Sequence, residues 1–149
     1  YLAIKDMVGD AEFQRMMREF IGDWHGKHTL PWDMFNDFNR ISGKDMNWFF
    51  KNWFFDNGYI DMAVTGVSAA NGGSDVMIKN VGGKAAPTNL MVTYTDGSKD
   101  TIHETAAIWQ ADQRNATVHI SSAKSVKAIS LDGGIWMDAN PDDNKWEAK

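Results

Sequence analysis

The chain has no cysteine, only three prolines among 149 residues and no apolar run of the ~18 residues a membrane span needs. Without cysteine, disulfides and thiolate zinc sites are excluded, while the compartment stays open. No basic-then-apolar leader is visible at the N-terminus, and if the chain is a fragment a leader would lie upstream of it. A basic excess is missing too: 15 basic side chains face 20 acidic ones, a formal charge of -5. Residues 1–60 carry seven positive and nine negative side chains and residues 61–149 eight and eleven, so neither half is a basic arm and nucleic acid is not an expected partner. Internal repeats are absent beyond the local Asn47–Lys51 and Asn52–Asp56 echo, which is too short to build an array.

What is abundant is apolar and aromatic content. At 43% hydrophobic residues the chain can bury a sizeable core, and its eight Phe and seven Trp are concentrated before residue 56. That half reads as helix. Residues 1–8 open without an N-cap and end at Gly9, as a cut through a helix would. Asp10 is placed to cap a second helix with Phe13, Met16, Met17, Phe20, Ile21 and Trp24 at spacings of three and four. Thr29 and Pro31 start a third, striped by Met34, Phe35, Phe38 and Ile41. A fourth runs from an Asp45 cap towards Gly58, with Met46, Phe49, Phe50, Trp53 and Phe54 on one face and Trp48 and Phe55 on the other at ~100° per residue. A helix apolar on two faces must be covered on both, so the Trp48/Phe55 face is a candidate for self-association.

After Gly58 the period falls to two. Ile60, Met62 and Val64, then Val76 and Ile78, then Leu90, Val92 and Tyr94 mark strands. Asp96-Gly97 is a hairpin turn leading into a strand from Thr101 to Trp109; Val118 and Ile120, Val126 to Leu131 and Ile135 to Met137 mark further strands, and the polar tail from Asp138 ends the domain. The expected fold is α+β: an antiparallel helical bundle segment over residues 1–58, followed by an immunoglobulin-like antiparallel β-sandwich over residues 59–149.

Candidate chemistry is sparse. His103-Glu104 begins like the zinc-protease motif His-Glu-x-x-His, but the fifth residue is Ala107 and the stretch reads as strand, whereas the motif needs two imidazoles on one helical face. His25 and His28, with Asp23 nearby, flank Gly26 in a helix-ending turn and read as solvated or capping groups. Asp33 and Asp37 lie one turn apart on the polar side of the third helix, where a solvated face is the default. Gly72-Gly73 and Gly82-Gly83 form no phosphate loop and read as hairpin ends. No catalytic, cofactor-binding or metal-ligating residue is assigned.

The runs His28 to Phe35 and Ser42 to Phe50, then Trp53 and Gly58-Tyr59-Ile60-Asp61, resemble the C-terminal segment of the gluzincin-type zinc aminopeptidase family that includes membrane alanyl aminopeptidase. Asn80-Val81-Gly82, Pro87 and Asp96-Gly97-Ser98 are similar to its sandwich portion, and Ile60 stands where that family usually has Pro. The resemblance implies a metallopeptidase whose zinc ligands and catalytic Tyr lie upstream of this chain, in a missing catalytic domain acting on peptide substrates. Tyr1 sits too near Gly9 to take the catalytic Tyr's place. It also implies that the helices pack on that domain and that the sandwich is a spacer or docking domain, with a secreted or periplasmic parent as the working expectation. The alternative is a stand-alone sandwich presenting Trp109, Trp136 or Trp146 to glycan or peptide.

Overall fold

The computed structural model describes residues 1–132 and 136–149, which divide into two compact units, Tyr1–Asp56 and Asn57–Lys149. The first is helical. α1 (Leu2–Val8) and α2 (Asp10–Trp24) meet at Gly9, whose φ of 85° lets one residue end the first helix, donating to the Lys5 carbonyl at 2.8 Å, and begin the second, accepting from Phe13 N at 2.9 Å. Gly9, not Asp10, is therefore the N-cap of α2. Asp10 falls in the first helical turn, where its charge complements the helix dipole and meets Lys5 at 3.2 Å.

α3 (Pro31–Ser42) starts at Pro31, with Leu30 N donating to Asp33 Oδ2 at 2.8 Å. All four stripe residues, Met34, Phe35, Phe38 and Ile41, are buried. Phe13 and Phe20 of α2 meet Phe38 edge-on at 6.5 and 6.1 Å. Ile21, expected in the same stripe, is exposed.

The fourth helix departs from the sequence reading. α4 (Asn47–Phe50) is followed directly by a π-helical turn, Lys51–Phe55, closed by Asp56 N donating to Lys51 O at 3.2 Å across five residues. Met46 occupies the N-cap position, and Asp45 accepts from Asn47 N at 2.9 Å. The wider turn shifts every later side chain relative to a regular wheel. Asn52, expected in a polar strip, is buried, and Phe55, expected opposite Phe54, lies with it against Phe35 at 6.1 and 4.9 Å. Phe35 also stacks on Phe50 at 4.4 Å, and Trp32 stacks on Phe55 at 5.1 Å, so one ring cluster centred on Phe35 joins α3 to α4.

The second unit holds two antiparallel sheets. The strands are β1 (Met62–Ala70), β2 (Gly73–Asn80), β3 (Thr88–Tyr94), β4 (Lys99–Glu104), β5 (Asn115–Ile120), β6 (Val126–Asp132) and β7 (Lys145–Glu147). Three-stranded β1-β2-β5 and four-stranded β4-β3-β6-β7 are the sheet orders. Cross-strand partners such as Val76↔Val118, Leu90↔Leu131 and Val92↔Ile129 place apolar side chains opposite one another, and all six are buried. The Asp96-Gly97 turn closes β3 onto β4 as expected: Gly97 has φ 83°, and Ser98 donates its amide and hydroxyl to Asp96 Oδ1 at 2.9 and 2.6 Å. Those bonds, with Lys124 at 3.0 Å, hold the Asp96 carboxyl down at about 2.

Two strand expectations are corrected. The segment from Thr101 to Trp109 is not one strand: β4 stops at Glu104, and Thr105 accepts from Ala107 N at 3.3 Å to begin a 3₁₀ turn, Ala106–Trp109. The turn carries Trp109 into the core, where its Nε1 donates to Ala86 O at 3.0 Å. Of the expected strand Ile135 to Met137, Ile135 lies outside the described residues, and Trp136 and Met137 are not in a strand. The tail instead contributes β7, which pairs Trp146 with Ile129 of β6.

Candidate functional site

The side chains singled out from the sequence are dispersed into structural roles. Asp37 accepts from Trp24 Nε1 at 2.8 Å, and Arg40 bridges Asp23 at 2.7 Å and Asp37 at 3.1 Å, so these carboxylates tie α2 to α3. The Asp37 bond is the main reason the Arg40 guanidinium titrates higher than usual. Asp33 caps α3 as described, and with Asp37 it forms no acid–base pair. Tyr1 donates its hydroxyl to Met34 Sδ at 3.2 Å and meets Phe13 edge-on at 6.4 Å, a packing role.

The residues do not fit a zinc site. His103 lies on β4 with its Nδ1 2.7 Å from Asn89 Oδ1, and Ala107 sits beyond the strand in the 3₁₀ turn. His25 and His28 are exposed in and after the turn that ends α2, and His119 pairs with Asp75 at 2.7 Å. Among the described residues no group of three metal-ligating side chains includes a histidine. A cavity of about 270 Å³ on the four-stranded sheet is lined by Met91, Lys99, Asp100, Ser130, Lys145 and Glu147 among others.

The aromatic candidates separate as well. Trp109 is fully buried and Trp136 and Trp146 are half-buried, which removes Trp109 from any exposed ring platform. Trp48 packs edge-on to its neighbour Phe49 at 5.7 Å, and Phe55 stacks on Trp32 at 5.1 Å. The exposed apolar surface of the helical unit includes Leu30, Trp32, Phe54 and Phe55, each more than half exposed.

One grouping escaped the sequence reading. Asp61, just before β1, and Asp138 and Asp143, in the segment before β7, each bring a carboxylate oxygen within 4.8 Å of the others. Asp138 accepts from Met62 N and from Asn140 N, both at 2.9 Å, and Asp143 Oδ2 accepts from Asn140 Nδ2 at 2.9 Å. Backbone bonds from Ala139 N to Ile60 O, Val64 N to Asp143 O and Leu131 N to Asn144 O, at 2.8–3.0 Å, stitch the segment to β1 and β6. Asp61 is only 6% exposed, and burial first, then the charges of Asp138 and Asp143, pushes its carboxyl up. Asp61 lies 77 residues before Asp138, so no local motif marks the cluster; the one signal is the oxygen-rich run Asp138 to Asn144.

Together these features define an α+β protein, a helical unit followed by two antiparallel sheets. No family model matches the sequence, and no curated protein matches it. In structure the chain is similar to Legionella pneumophila aminopeptidase A, crystallised in complex with aspartic acid, with a TM-score of 0.57 and 17% identity. The likeness covers 87% of this chain and 15% of that one, so this chain spans only a small part of that protein's length. At this identity the likeness is one of fold.

Proposed function

We propose that this chain is the non-catalytic C-terminal portion of a zinc-dependent, aminopeptidase-like metallopeptidase of gluzincin type. The observation that carries the reading is the fold likeness to an aminopeptidase over 87% of this chain but only 15% of the other. The residue runs from His28 to Asp61 support it independently. In this reading the helices form part of a bundle that packs on a catalytic domain outside this chain, with the Leu30, Trp32, Phe54 and Phe55 surface covered in the parent.

The sheet orders β1-β2-β5 and β4-β3-β6-β7, all antiparallel, support an immunoglobulin-like sandwich, which would act as spacer or docking domain. Peptide substrate and zinc belong to the parent's catalytic domain, and no step of hydrolysis is assigned to residues of this chain. The glycan- or peptide-binding alternative is not favoured, because its Trp109 ring is in the core. The purified chain, given an excess of Zn²⁺ and a panel of aminoacyl-coumarin amides, is expected to release coumarin no faster than a protein-free blank. Turnover that follows zinc loading and vanishes with chelator would overturn the reading.

A further inference from the structure

The Asp61 cluster poses an electrostatic problem that the peptidase reading does not touch. Three carboxylates converge within 4.8 Å, and among the described residues no lysine, arginine or histidine pairs with any of them. Asp61 Oδ1 and Asp143 Oδ1 are buried with no hydrogen-bond partner, and so is the side-chain oxygen of Asn144, the next residue, itself 7% exposed. Buried polar atoms are almost always satisfied, and a buried carboxylate most of all. Every unsatisfied atom here is an acceptor. One proton would supply a single donor, whereas a cation would satisfy several oxygens at once and neutralise the mutual repulsion.

We propose that Asp61, Asp138 and Asp143 bind a divalent cation, Ca²⁺, that fastens the 138–144 segment to the start of β1. The ligand set chooses the ion. Carboxylate oxygens without imidazole or thiolate suit hard cations. Oxygens around one Ca²⁺ lie about 2.3–2.6 Å from it in flexible geometry, which admits separations of the size seen here. Mg²⁺ needs near-ideal octahedral geometry and keeps several waters, which a cluster with so buried a member suits poorly. The position explains a structural purpose: Asp61 precedes β1, while Asp138 and Asp143 already bond Met62 and Val64. The ion would close the same seam from its buried side.

The test is calorimetry on the full 149-residue chain at neutral pH, in EDTA and in about 5 mM CaCl₂, with titration for stoichiometry. The expected result is one Ca²⁺ per chain and a thermal midpoint for the sheet unit raised by roughly 5 °C or more, with a smaller rise in equimolar Mg²⁺. Asp61→Asn should abolish the calcium shift, and Asp143→Asn, the second variant should the first not fold, should abolish or sharply reduce it. Identical midpoints in EDTA and calcium would overturn the proposal, as would a calcium shift retained in both variants. An equal response to Mg²⁺ would overturn the choice of ion. A midpoint that rises on acidification and ignores calcium would assign the cluster to a shared proton instead.

Discussion

Phe35→Ala is expected to destabilise the helical unit by about 3–5 kcal/mol, the usual cost of emptying a buried phenylalanine site. Phe35 is buried, stacks on Phe50 at 4.4 Å and meets Trp32, Phe54 and Phe55 as well, so the substitution removes the ring that joins α3 to α4. Each aromatic pair adds about 0.5–1.5 kcal/mol beyond area burial, and cavity collapse cannot replace four such contacts at once. A unit as small as Tyr1–Asp56 has only ~3–8 kcal/mol in total, at roughly 0.05–0.15 kcal/mol per residue. Much or all of its cooperative unfolding should therefore be lost. Urea titration followed by the helical circular dichroism signal reads this directly. Phe54→Ala, removing a ring that is half exposed, should cost less than about half as much. Equal losses for the two variants would mean that Phe35 is not the centre of the cluster.

The second large effect lies in the sheet unit. Trp109→Ala should cost about 3–5 kcal/mol, because the largest fully buried side chain is replaced by a cavity. Trp109→Phe keeps most of the ring but removes the Nε1 donor, leaving the buried Ala86 carbonyl without it. That loss alone is worth about 1–3 kcal/mol. The order wild type, Phe, Ala in stability should be seen in urea midpoints, with amide exchange in β3 and β6 accelerating in step. A Trp109→Phe protein as stable as the wild type would show that the indole N–H contributes nothing to the fold.

How much of this was legible in the sequence varies with the physics of each element. The α3 stripe of Met34, Phe35, Phe38 and Ile41 was readable because a regular helix capped by Pro31 and Leu30 keeps a fixed 3.6-residue period. The buried positions of β3 and β5 were readable because strand alternation is strict where one face is covered. The end of α4 was not, since a five-residue π closure changes the period on which Asn52 and Phe55 were placed, and no local residue type announces it.

Trp109 falls at the end of the strand expected to follow the Asp96-Gly97 hairpin turn, and nothing local marks the break at Thr105. The Thr105 cap that starts the 3₁₀ turn looks like any strand threonine until its hydroxyl is seen accepting Ala107 N. β7 was missed because three residues with one apolar side chain carry no alternation. Asp61, Asp138 and Asp143 were missed because convergence across 82 residues, from 61 to 143, is a property of sheet topology and leaves no spacing to read. His103 lies beside Asn89, Asp33 accepts from Leu30 N, and Asp23 and Asp37 meet Arg40, pairings that no spacing in the sequence announces.

The central claim, that this chain belongs to a longer peptidase whose catalytic groups lie elsewhere, is tested most directly by reading the coding sequence upstream of Tyr1. The account predicts an open frame continuous with this chain that encodes His-Glu-x-x-His, a Glu about one helix further on, and a Tyr shortly before residue 1. A frame that starts close to Tyr1, or an upstream domain without those ligands, would contradict it.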